Sequence, residues 1–338
     1  MGHSGSVPDD PGPHPRLSRR ALWVAPLTVL GLVAVLIVAI RAPGVSHRPS
    51  VAPSSSVVTA PTTSVAAGAD PFTQIRPGPE LDPVGPPSRT CLNRAHVVRV
   101  LQFNIHFGIS REGVVDPGTI AAEIRSVRPD LVSLNEVDAG TLRTGRLDEA
   151  AYLARATGLH AVYGPNLPWE GGLFGNAILT RYQVEDTQNL ALPVISGLEP
   201  RGLLTVTVRV GGRTVSFSST HLSDGDDGRV SRGLQAQEIA TVVRQTSAPT
   251  IVAGDLNSEP SDLPVRILRQ DLLDSQEEGG RGRGDTVPEP DPQGRIDYVL
   301  HDRSFAVVPG STRVLPSASS DHRAVVTDLA LLPRGCVG

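Results

Sequence analysis

An acid and an amide follow a short apolar run in the last third of the sequence. Residues 251–257 read Ile-Val-Ala-Gly-Asp-Leu-Asn and come shortly after Pro249. A run this short and apolar predicts a buried strand, which ends at Asp255 and Asn257 because both residues favour turns over strands. Side chains two residues apart on an extended chain point to the same side. The carboxylate and the carboxamide therefore suit a phosphate group beside a hard metal ion, although a turn with a capping side chain is the simpler alternative.

Other polar residues interrupt apolar strands at the same kind of place. Taken singly, each has a structural explanation, such as a turn residue, a solvated acid, a histidine at a sheet edge, or an ion pair. Their recurrence at strand ends is better explained by one site at which sheet edges converge. The residues are Asn104, Glu136, His221, Asp297, Asp321 and His322.

Turn residues and hydrophobic periodicity predict the elements that must position these side chains. The clearest signal is a β-hairpin, in which runs 203–210 and 213–220 are joined by Gly211-Gly212. Two helices are expected to begin at the capping residues Asp116 and Asp148. Further strands are expected at 97–105, 131–134, 161–164, 176–180, 251–255, 296–300, 305–308 and 324–331, further helices at 230–245 and 263–268, a Gly-rich loop between 164 and 176, and a polar loop at 275–293.

The order of these elements indicates the fold class. Strands, hairpins and helices are mixed without a strict strand–helix–strand repeat. We therefore expect an α+β protein in which two packed sheets carry helices on their outer faces.

An uncharged, mostly apolar segment lies near the N-terminus, at 21–40 between Arg20 and Arg41. As a helix it would span about 30 Å, the thickness of the hydrocarbon core of a membrane. The arginines before it favour a cytoplasmic N-terminus. A cleaved signal peptide is the alternative, but the run exceeds the usual apolar length and lacks a good cleavage site. We predict a cytoplasmic tail at 1–20, a single transmembrane helix at 21–40 and a disordered Pro/Ser/Thr-rich linker at 41–90. Residues 91–338 then lie at the outer face of the membrane. The alternative is a secreted protein.

Composition and cysteine usage fit an exported globular domain. The chain has 338 residues, a net charge of −4 and 39% hydrophobic residues. This is ample for an ordinary core, and the nearly balanced charge gives no sign of nucleic-acid binding. Cys91 opens the predicted domain and Cys336 nearly closes it. In an oxidising compartment we expect one disulfide between them, with two unrelated thiols as the alternative.

The motifs, taken in order, resemble those of the endonuclease/exonuclease/phosphatase superfamily. The resemblance covers residues 95–332 and implies a four-layer αββα sandwich of two mixed β-sheets flanked by helices. It also implies Mg²⁺-dependent hydrolysis of phosphoesters, with Mn²⁺ or Ca²⁺ as substitutes. The motifs are Gln102-Phe-Asn-Ile, Leu134-Asn-Glu-Val-Asp, Gly175-Asn-Ala-Ile-Leu-Thr-Arg, Ser219-Thr-His-Leu, Gly254-Asp-Leu-Asn, Ile296-Asp-Tyr-Val and Ser320-Asp-His-Arg-Ala-Val.

Two positions depart from the family pattern. Asn135 stands where the family usually has glutamine, and His106-Phe107-Gly108 stands where related secreted members often have His-His-Gly. Neither departure removes a core catalytic group. Both leave the shape of the pocket, and therefore the substrate, open.

The resemblance implies a role for each polar residue. Glu136 would be the principal metal ligand, helped by Asn104, and Asp321 and the Asp255/Asn257 pair would complete or share the metal site. His322 would be the general base, directly or through water, with its ring held by Asp297. The remaining roles are orienting or deprotonating the attacking water (Asp255), bonding the phosphate (Asn257), and contacting a phosphoryl oxygen, stabilising transition-state charge or protonating the leaving group (His221). Asn176 would bind substrate as a phosphate-binding or site-shaping amide. Arg201 would also bind substrate, and a solvated arginine is an equal alternative.

Phosphodiester hydrolysis is the expected reaction, and the substrate is the less determined part. The segment 223–228 places three aspartates near His221. It should repel a polyanion, which favours a phospholipid or another small phosphodiester over nucleic acid. An extracellular nuclease and a non-catalytic surface module that keeps the fold are the alternatives. No obligate protein partner is indicated.

Overall fold

The structure is a computed structural model, which describes residues 78–82, 87–110 and 112–336. The predicted cytoplasmic tail, the predicted transmembrane helix and most of the predicted linker lie outside these residues. No helix in the described part of the chain combines the length and the apolar character needed to cross a membrane.

The described residues form strands and helices in a mixed order. The strands are β1 (His96–Asn104), β2 (Leu131–Ala139), β3 (His160–Trp169), β4 (Gly172–Thr180), β5 (Val184–Ala191), β6 (Gly202–Val210), β7 (Arg213–His221), β8 (Thr250–Asp255), β9 (Leu273–Asp274), β10 (Asp297–His301), β11 (Phe305–Val307), β12 (Arg313–Leu315) and β13 (Ala324–Leu331). The helices are α1 (Arg89–Asn93), α2 (Pro117–Val127), α3 (Glu149–Thr157), α4 (Arg229–Gln245), α5 (Leu263–Leu268) and α6 (Ser275–Gly279).

The strands build two mixed sheets. The first has the order β11-β13-β1-β2-β4-β3, with β12 also paired to β13, and the second has the order β5-β6-β7-β8-β10-β9. Each sheet has one parallel pair near its centre, β1 with β2 and β7 with β8. The expectation of two mixed sheets with helices is confirmed.

Three apolar clusters define the order of the layers. Side chains of both sheets, such as Val98 and Phe217, share the central cluster, so the sheets pack face to face. The outer face of the first sheet packs against Ile120 of α2 and Leu153 of α3. The outer face of the second sheet packs against α4 and α5, through residues such as Ile239. The order is therefore helices, sheet, sheet, helices.

The helix and hairpin signals act as the sequence predicts. Asp116 caps α2 by accepting a hydrogen bond from the Thr119 N–H at 3.0 Å, and Asp148 caps α3 in the same way. Gly211 and Gly212 both have positive φ, which the two-residue turn between β6 and β7 requires.

Several other boundaries were predicted wrongly. β2 does not end at residue 134 but continues to Ala139 through a bulge between Leu134 and Val137. The segment between 164 and 176 is not a Gly-rich loop, because β3 and β4 extend into a hairpin. β3 tolerates its prolines because it is an edge strand, whose outer N–H groups need no partner strand. β5 and β12 were missed, since β5 is mostly polar and β12 is very short.

The two ends of the described domain are tied together. The predicted disulfide between Cys91 and Cys336 is confirmed, with 5.8 Å between the two Cα atoms. Leu81 of the predicted linker contacts the domain, since its N–H donates to the Arg269 carbonyl at 2.8 Å. His96 pairs with Leu331, so β1 begins at the end of the first sheet that is opposite Asn104.

Candidate functional site

Strand direction brings the predicted site residues to one end of both sheets. Asn104 ends β1 and lies opposite Asn135, which is at the bulge of the parallel strand β2. In the second sheet, His221 lies opposite Asp255 at the carboxyl ends of β7 and β8. The antiparallel strand β10 begins at the same place, with Asp297 opposite Asp255. Residues that are far apart in the chain therefore meet at this end of the two sheets, and we call this meeting place the cleft.

The Asp255 carboxylate is the hub of this cleft. Its Oδ2 accepts a hydrogen bond from Asn104 Nδ2 at 3.0 Å and lies 3.6 Å from His221 Nε2 and 3.7 Å from His322 Nε2. Its Oδ1 accepts from the Asn257 N–H at 2.9 Å. Burial, followed by the charge of Asp297, raises the pKa of Asp255 to about 7. A carboxyl group with this pKa can both accept and hold a proton near neutral pH.

His322 and Asp297 form a buried pair beside the hub. His322 Nδ1 lies 2.9 Å from Asp297 Oδ2, so the ring donates to the carboxylate and its orientation is fixed. Burial acts to lower the pKa of His322, but the charge and hydrogen bond of Asp297 outweigh it and raise that pKa to about 10. The ring therefore holds a proton at neutral pH. The predicted general-base role stays a prediction, and it requires that this proton leave first.

Glu136 is the second carboxylate that Asn104 contacts. Its Oε1 accepts from Asn104 Nδ2 at 2.9 Å, and its side chain is only partly buried. Glu136 lies in the bulge of β2 with φ 56, a conformation that is uncommon for residues with a side chain. The bulge turns this carboxylate out of the sheet, while the preceding Asn135 points inward.

Asp321 reaches the same side of the cleft through His106. Asp321 Oδ1 lies 3.8 Å from His106 Nδ1, and its side chain is 43% exposed. The His106 N–H donates to Asn104 Oδ1 at 3.1 Å, and Ser320 Oγ donates to the Asn104 carbonyl at 2.7 Å. These contacts connect the two predicted metal-side residues Asn104 and Asp321.

The chemistry of the donors fits a hard divalent cation. Among the described residues, one group of three or more acids and histidines has its donor atoms within 4.8 Å of one another, namely Asp255, Asp297 and His322. The His322 ring lies between the two carboxylates, so its nitrogens are already directed at acids. Glu136 and Asp321 instead offer half-exposed carboxylates, which suit Mg²⁺ because it keeps several waters. Glu136, Asp321 and Asn104 would hold the cation, with Asp255 adjacent.

Backbone strain concentrates at this end of the molecule. Positive φ values occur at His106 (47), Phe107 (41), Glu136 (56) and Asn257 (46). Such conformations cost free energy for residues with a side chain and tend to cluster at functional sites. Here they occur at residues beside Asn104 and Asp255, since the His106 N–H donates to Asn104 Oδ1, Glu136 Oε1 accepts from Asn104 Nδ2, and the Asn257 N–H donates to Asp255 Oδ1.

A buried amide network beneath the cleft was not predicted. Asn135 Oδ1 accepts from Gln102 Nε2 at 2.6 Å and from the Asp255 N–H at 2.9 Å. Its Nδ2 donates to Asn176 Oδ1 at 3.0 Å and to the Thr220 carbonyl at 2.9 Å. Asn135 thus links the two sheets and fixes the position of Asp255. The signal that could have found it is an amide inside an otherwise apolar strand.

The two predicted substrate-binding residues are both buried. Asn176 bonds Asn135 through its oxygen, and its Nδ2 donates to the Gly202 carbonyl at 3.1 Å. Arg201 is 4% exposed, and its guanidinium lies behind His221, with Nη1 3.0 Å from His221 Nδ1. Contact of either residue with substrate stays a prediction.

His221 presents its other nitrogen to the hub. Its Nε2 lies 3.0 Å from Asn257 Nδ2, which also donates to the Leu222 carbonyl at 3.0 Å. Burial, followed by the charges of Arg201 and His322, holds the pKa of His221 well below its ordinary value. His221 is therefore neutral, whereas His322 is charged.

An apolar rim borders the Glu136 side of the cleft. It consists of large hydrophobic side chains that are exposed, including Trp169 at 43% exposure. Arg143 joins its loops, since its guanidinium lies 3.6 Å from the Phe107 ring centroid and 5.8 Å from that of Trp169. Burial acts to lower the pKa of Arg143. The hydrogen bond and charge of Asp138, followed by the charge of Glu136, outweigh burial and raise that pKa. The members of the rim are Val114, Val115, Leu142, Trp169 and Leu173.

An acidic rim borders the His221 side. Asp224, Asp226 and Asp227 are exposed in the segment 223–228. Asp224 Oδ1 lies 3.8 Å from Arg201 Nη2, so this rim begins directly behind His221. The cleft therefore lies between surfaces of opposite chemistry.

The chain belongs to the endonuclease/exonuclease/phosphatase family, whose pattern matches residues 101–322. Members of this family are hydrolases of phosphoester bonds and generally depend on a divalent metal ion. The matched region contains all the polar residues of the cleft described above.

Individual proteins are also similar to this chain. A crystal structure of an endonuclease/exonuclease/phosphatase from Beutenbergia cavernae is 30% identical, with a TM-score of 0.58, over 70% of this chain and 72% of that one. Escherichia coli K12 protein YbhP is 27% identical over 69% of this chain and 96% of its own length. Protein cwh43 of Schizosaccharomyces pombe is 26% identical over 50% of this chain, a match that spans only 17% of that relative.

Proposed function

We propose that the protein is a divalent-metal-dependent phosphodiesterase that acts on amphiphilic phosphodiesters at a membrane surface. The observation that carries the proposal is the set of three nitrogen atoms around Asp255 Oδ2. They are Asn104 Nδ2 at 3.0 Å, His221 Nε2 at 3.6 Å and His322 Nε2 at 3.7 Å. Glu136 stands on the far side of Asn104. A hub of this kind can align a water against a phosphorus atom.

The side chains divide the reaction between them. Asp255 orients the attacking water and accepts its proton, and the neighbouring His322–Asp297 pair holds protons that can be passed to oxygen. His221 and Asn257 donate hydrogen bonds to phosphoryl oxygens, whose charge grows in the transition state. A cation held by Glu136, Asp321 and Asn104 supplies Lewis-acid stabilisation of that charge when it is bound.

The two rims support the choice of substrate. DNA and RNA are bound mainly through cations placed along the phosphates. The acidic rim offers negative charge where such a polyanion would pass. The apolar rim offers exposed tryptophan and leucine beside the cleft, and an amphiphile can bury its apolar part there while its phosphodiester reaches Glu136.

A location at the outer face of a membrane agrees with the rest of the sequence. The segment 21–40 has the length and apolar character of a membrane anchor. The disulfide between Cys91 and Cys336 is typical of an oxidising compartment. An anchored phosphodiesterase would act on phospholipids of the membrane that holds it.

The proposal is tested by measuring hydrolysis by the full-length protein with Mg²⁺, and with EDTA in its place. The substrates are sphingomyelin and glycerophospholipids in vesicles, a water-soluble phosphodiester, a phosphomonoester, DNA and RNA. We expect Mg²⁺-dependent hydrolysis that is fastest on a phospholipid. Hydrolysis that persists in EDTA would contradict the metal requirement, and a preference for DNA or RNA would contradict the substrate.

A paired variant isolates the role of the apolar rim. Trp169→Ser with Leu173→Ser removes two apolar contacts, each worth on the order of 1 kcal/mol or more when buried, so we expect at least a ~10-fold loss on vesicles. Hydrolysis of the water-soluble phosphodiester should not change. Val97→Ser is the matched control, because Val97 is 52% exposed and lies on β1 at the opposite end of the sheet. Equal losses on both substrates would contradict this role of the rim.

A further inference from the structure

We propose that Arg201 is a positioning residue that fixes the tautomer of His221, so that His221 donates a hydrogen bond to a phosphoryl oxygen and does not protonate the leaving group. The inference rests on the proposed function for its catalytic consequence. Its structural part, the state of the His221 ring, stands independently of any activity.

The Arg201 guanidinium is held in place behind the His221 ring. It directly precedes β6, is 4% exposed, and has Nη1 3.0 Å from His221 Nδ1. The same Nη1 lies 2.9 Å from Glu199 Oε1, and Nη2 lies 3.8 Å from Asp224 Oδ1. Two acids thus hold the guanidinium in a position from which it donates to the His221 ring.

The chemistry of arginine decides which ring nitrogen carries the proton. A guanidinium has N–H donors and no acceptor, and it stays protonated in proteins. His221 Nδ1 must therefore accept, and in a neutral ring the proton then resides on Nε2. A doubly protonated ring would place an N–H against the guanidinium, in a site where both groups are buried.

Asn257 is the polar neighbour of the other ring nitrogen of His221. With the proton on His221 Nε2, the 3.0 Å contact with Asn257 Nδ2 brings two donors together. Rotating the amide by half a turn would satisfy His221, but it would set Asn257 Oδ1 against the Leu222 carbonyl, to which Nδ2 now donates at 3.0 Å. An anionic oxygen that accepts from both donors resolves this conflict. The pair is therefore organised for a phosphoryl oxygen before substrate arrives.

His322 shows what the alternative arrangement looks like in the same cleft. The partner of its Nδ1 is the Asp297 carboxylate at 2.9 Å, which can only accept. A carboxylate behind a histidine stabilises the charged ring and suits proton transfer. The arginine behind His221 has the opposite effect. One cleft thus contains one histidine arranged to carry protons and one arranged to donate a hydrogen bond.

The state of the ring can be read without an activity assay. In the full-length protein with ¹⁵N-labelled histidine, two-bond proton–nitrogen spectra distinguish Nε2–H from Nδ1–H, and the signal lost in His221→Gln identifies the residue. We expect wild-type His221 to be neutral with its proton on Nε2 between pH 6 and 8. Inorganic phosphate, added as the probe, should shift the His221 signals. A proton on Nδ1, or a charged ring in this range, would overturn the proposal.

Removing the guanidinium should change both the ring and the rate. Arg201→Met leaves Nδ1 without its donor, so we expect Nδ1–H to become the major tautomer and kcat to fall about 10-fold, with KM within about threefold. Arg99→Met is the control, because Arg99 is paired with Asp328 at the other end of β1 and should leave the His221 signals and kcat unchanged. An Arg201→Met protein that retains the wild-type tautomer and kcat would overturn the proposal. If no phosphodiesterase activity is found at all, the wild-type spectrum still decides the tautomer, which separates this inference from the proposed function.

Discussion

The two histidines of the cleft are similarly buried and lie almost equally far from Asp255, yet their surroundings differ. His221 Nε2 is 3.6 Å and His322 Nε2 is 3.7 Å from Asp255 Oδ2. Behind His322 stands the Asp297 carboxylate, and behind His221 stands the Arg201 guanidinium. The pKa of His322 is raised to about 10, whereas that of His221 is well below its ordinary value. The residue behind the ring, and not burial alone, decides what each histidine can do.

The largest expected effect comes from replacing the residues that transfer protons, His322 and Asp255. His322→Ala and Asp255→Ala should each lower kcat at least ~10²-fold, because each removes acid–base assistance. The measurement is steady-state kinetics with Mg²⁺ on the preferred phosphodiester, beside a thermal unfolding curve for each variant. A near-wild-type rate in either folded variant would remove that residue from the mechanism.

The next effect concerns the cation and leaves both histidines intact. Glu136→Gln removes the charge of the principal predicted ligand but keeps its size. We expect a ~10- to 100-fold increase in the Mg²⁺ concentration needed for half-maximal activity. Titration of activity with Mg²⁺ measures it, and Glu170→Gln on the β3–β4 turn is the control. An unchanged Mg²⁺ requirement would place the cation elsewhere.

Glutamine substitutions test the two histidine roles directly. Glutamine has an N–H donor but cannot transfer a proton near neutral pH. His221→Gln should therefore keep kcat within ~10-fold of wild type, because it can still donate to a phosphoryl oxygen. His322→Gln should be as inactive as His322→Ala. If both glutamine variants lost activity equally, the two histidines would have the same role and the comparison would fail.

The smallest expected effects are on the free energy of unfolding. Its dependence on pH should have opposite signs for the two histidines. His322 has a folded-state pKa of about 10, above its ordinary value of 6.5, so its contribution is present below pH 6.5 and is lost as pH rises toward 10. His221 has a lowered folded-state pKa, so folding is penalised as pH falls below 6.5 and the unfolded chain takes up a proton. Urea unfolding in EDTA, with wild type compared with each glutamine variant, should show these slopes, each at most about 1.4 kcal/mol per pH unit. Slopes of the same sign would contradict the two environments.

The sequence allowed the position of most of the cleft to be predicted, because strand ends are local features. Asp255 and Asn257 follow a buried apolar run, and the turn residues that end β8 are visible in the chain itself. The hairpin of β6 and β7 was readable for the same reason, since Gly211-Gly212 specifies its turn. Local features therefore predicted which strand ends carry these polar residues, while their roles stay predictions.

Contacts between neighbouring strands could not be predicted in this way. The bond between Gln102 and Asn135 depends on the parallel register of β1 with β2, and the Arg201–His221 contact depends on the register of β6 with β7. Arg201 was expected to contact substrate because an arginine in a polar segment shows nothing of its burial. The long β3–β4 hairpin was missed because its prolines and glycines favour a loop locally, while pairing with β2 decides the outcome.

The most direct test of the account is anomalous diffraction from crystals of the full-length protein grown with Mn²⁺ and inorganic phosphate. The account predicts a Mn²⁺ peak about 2.1 Å from a Glu136 carboxylate oxygen, and a phosphate oxygen within hydrogen-bonding distance of both His221 Nε2 and Asn257 Nδ2. A cation bound between Asp297 and His322 without contact to Glu136, or a phosphate bound away from His221, would contradict it.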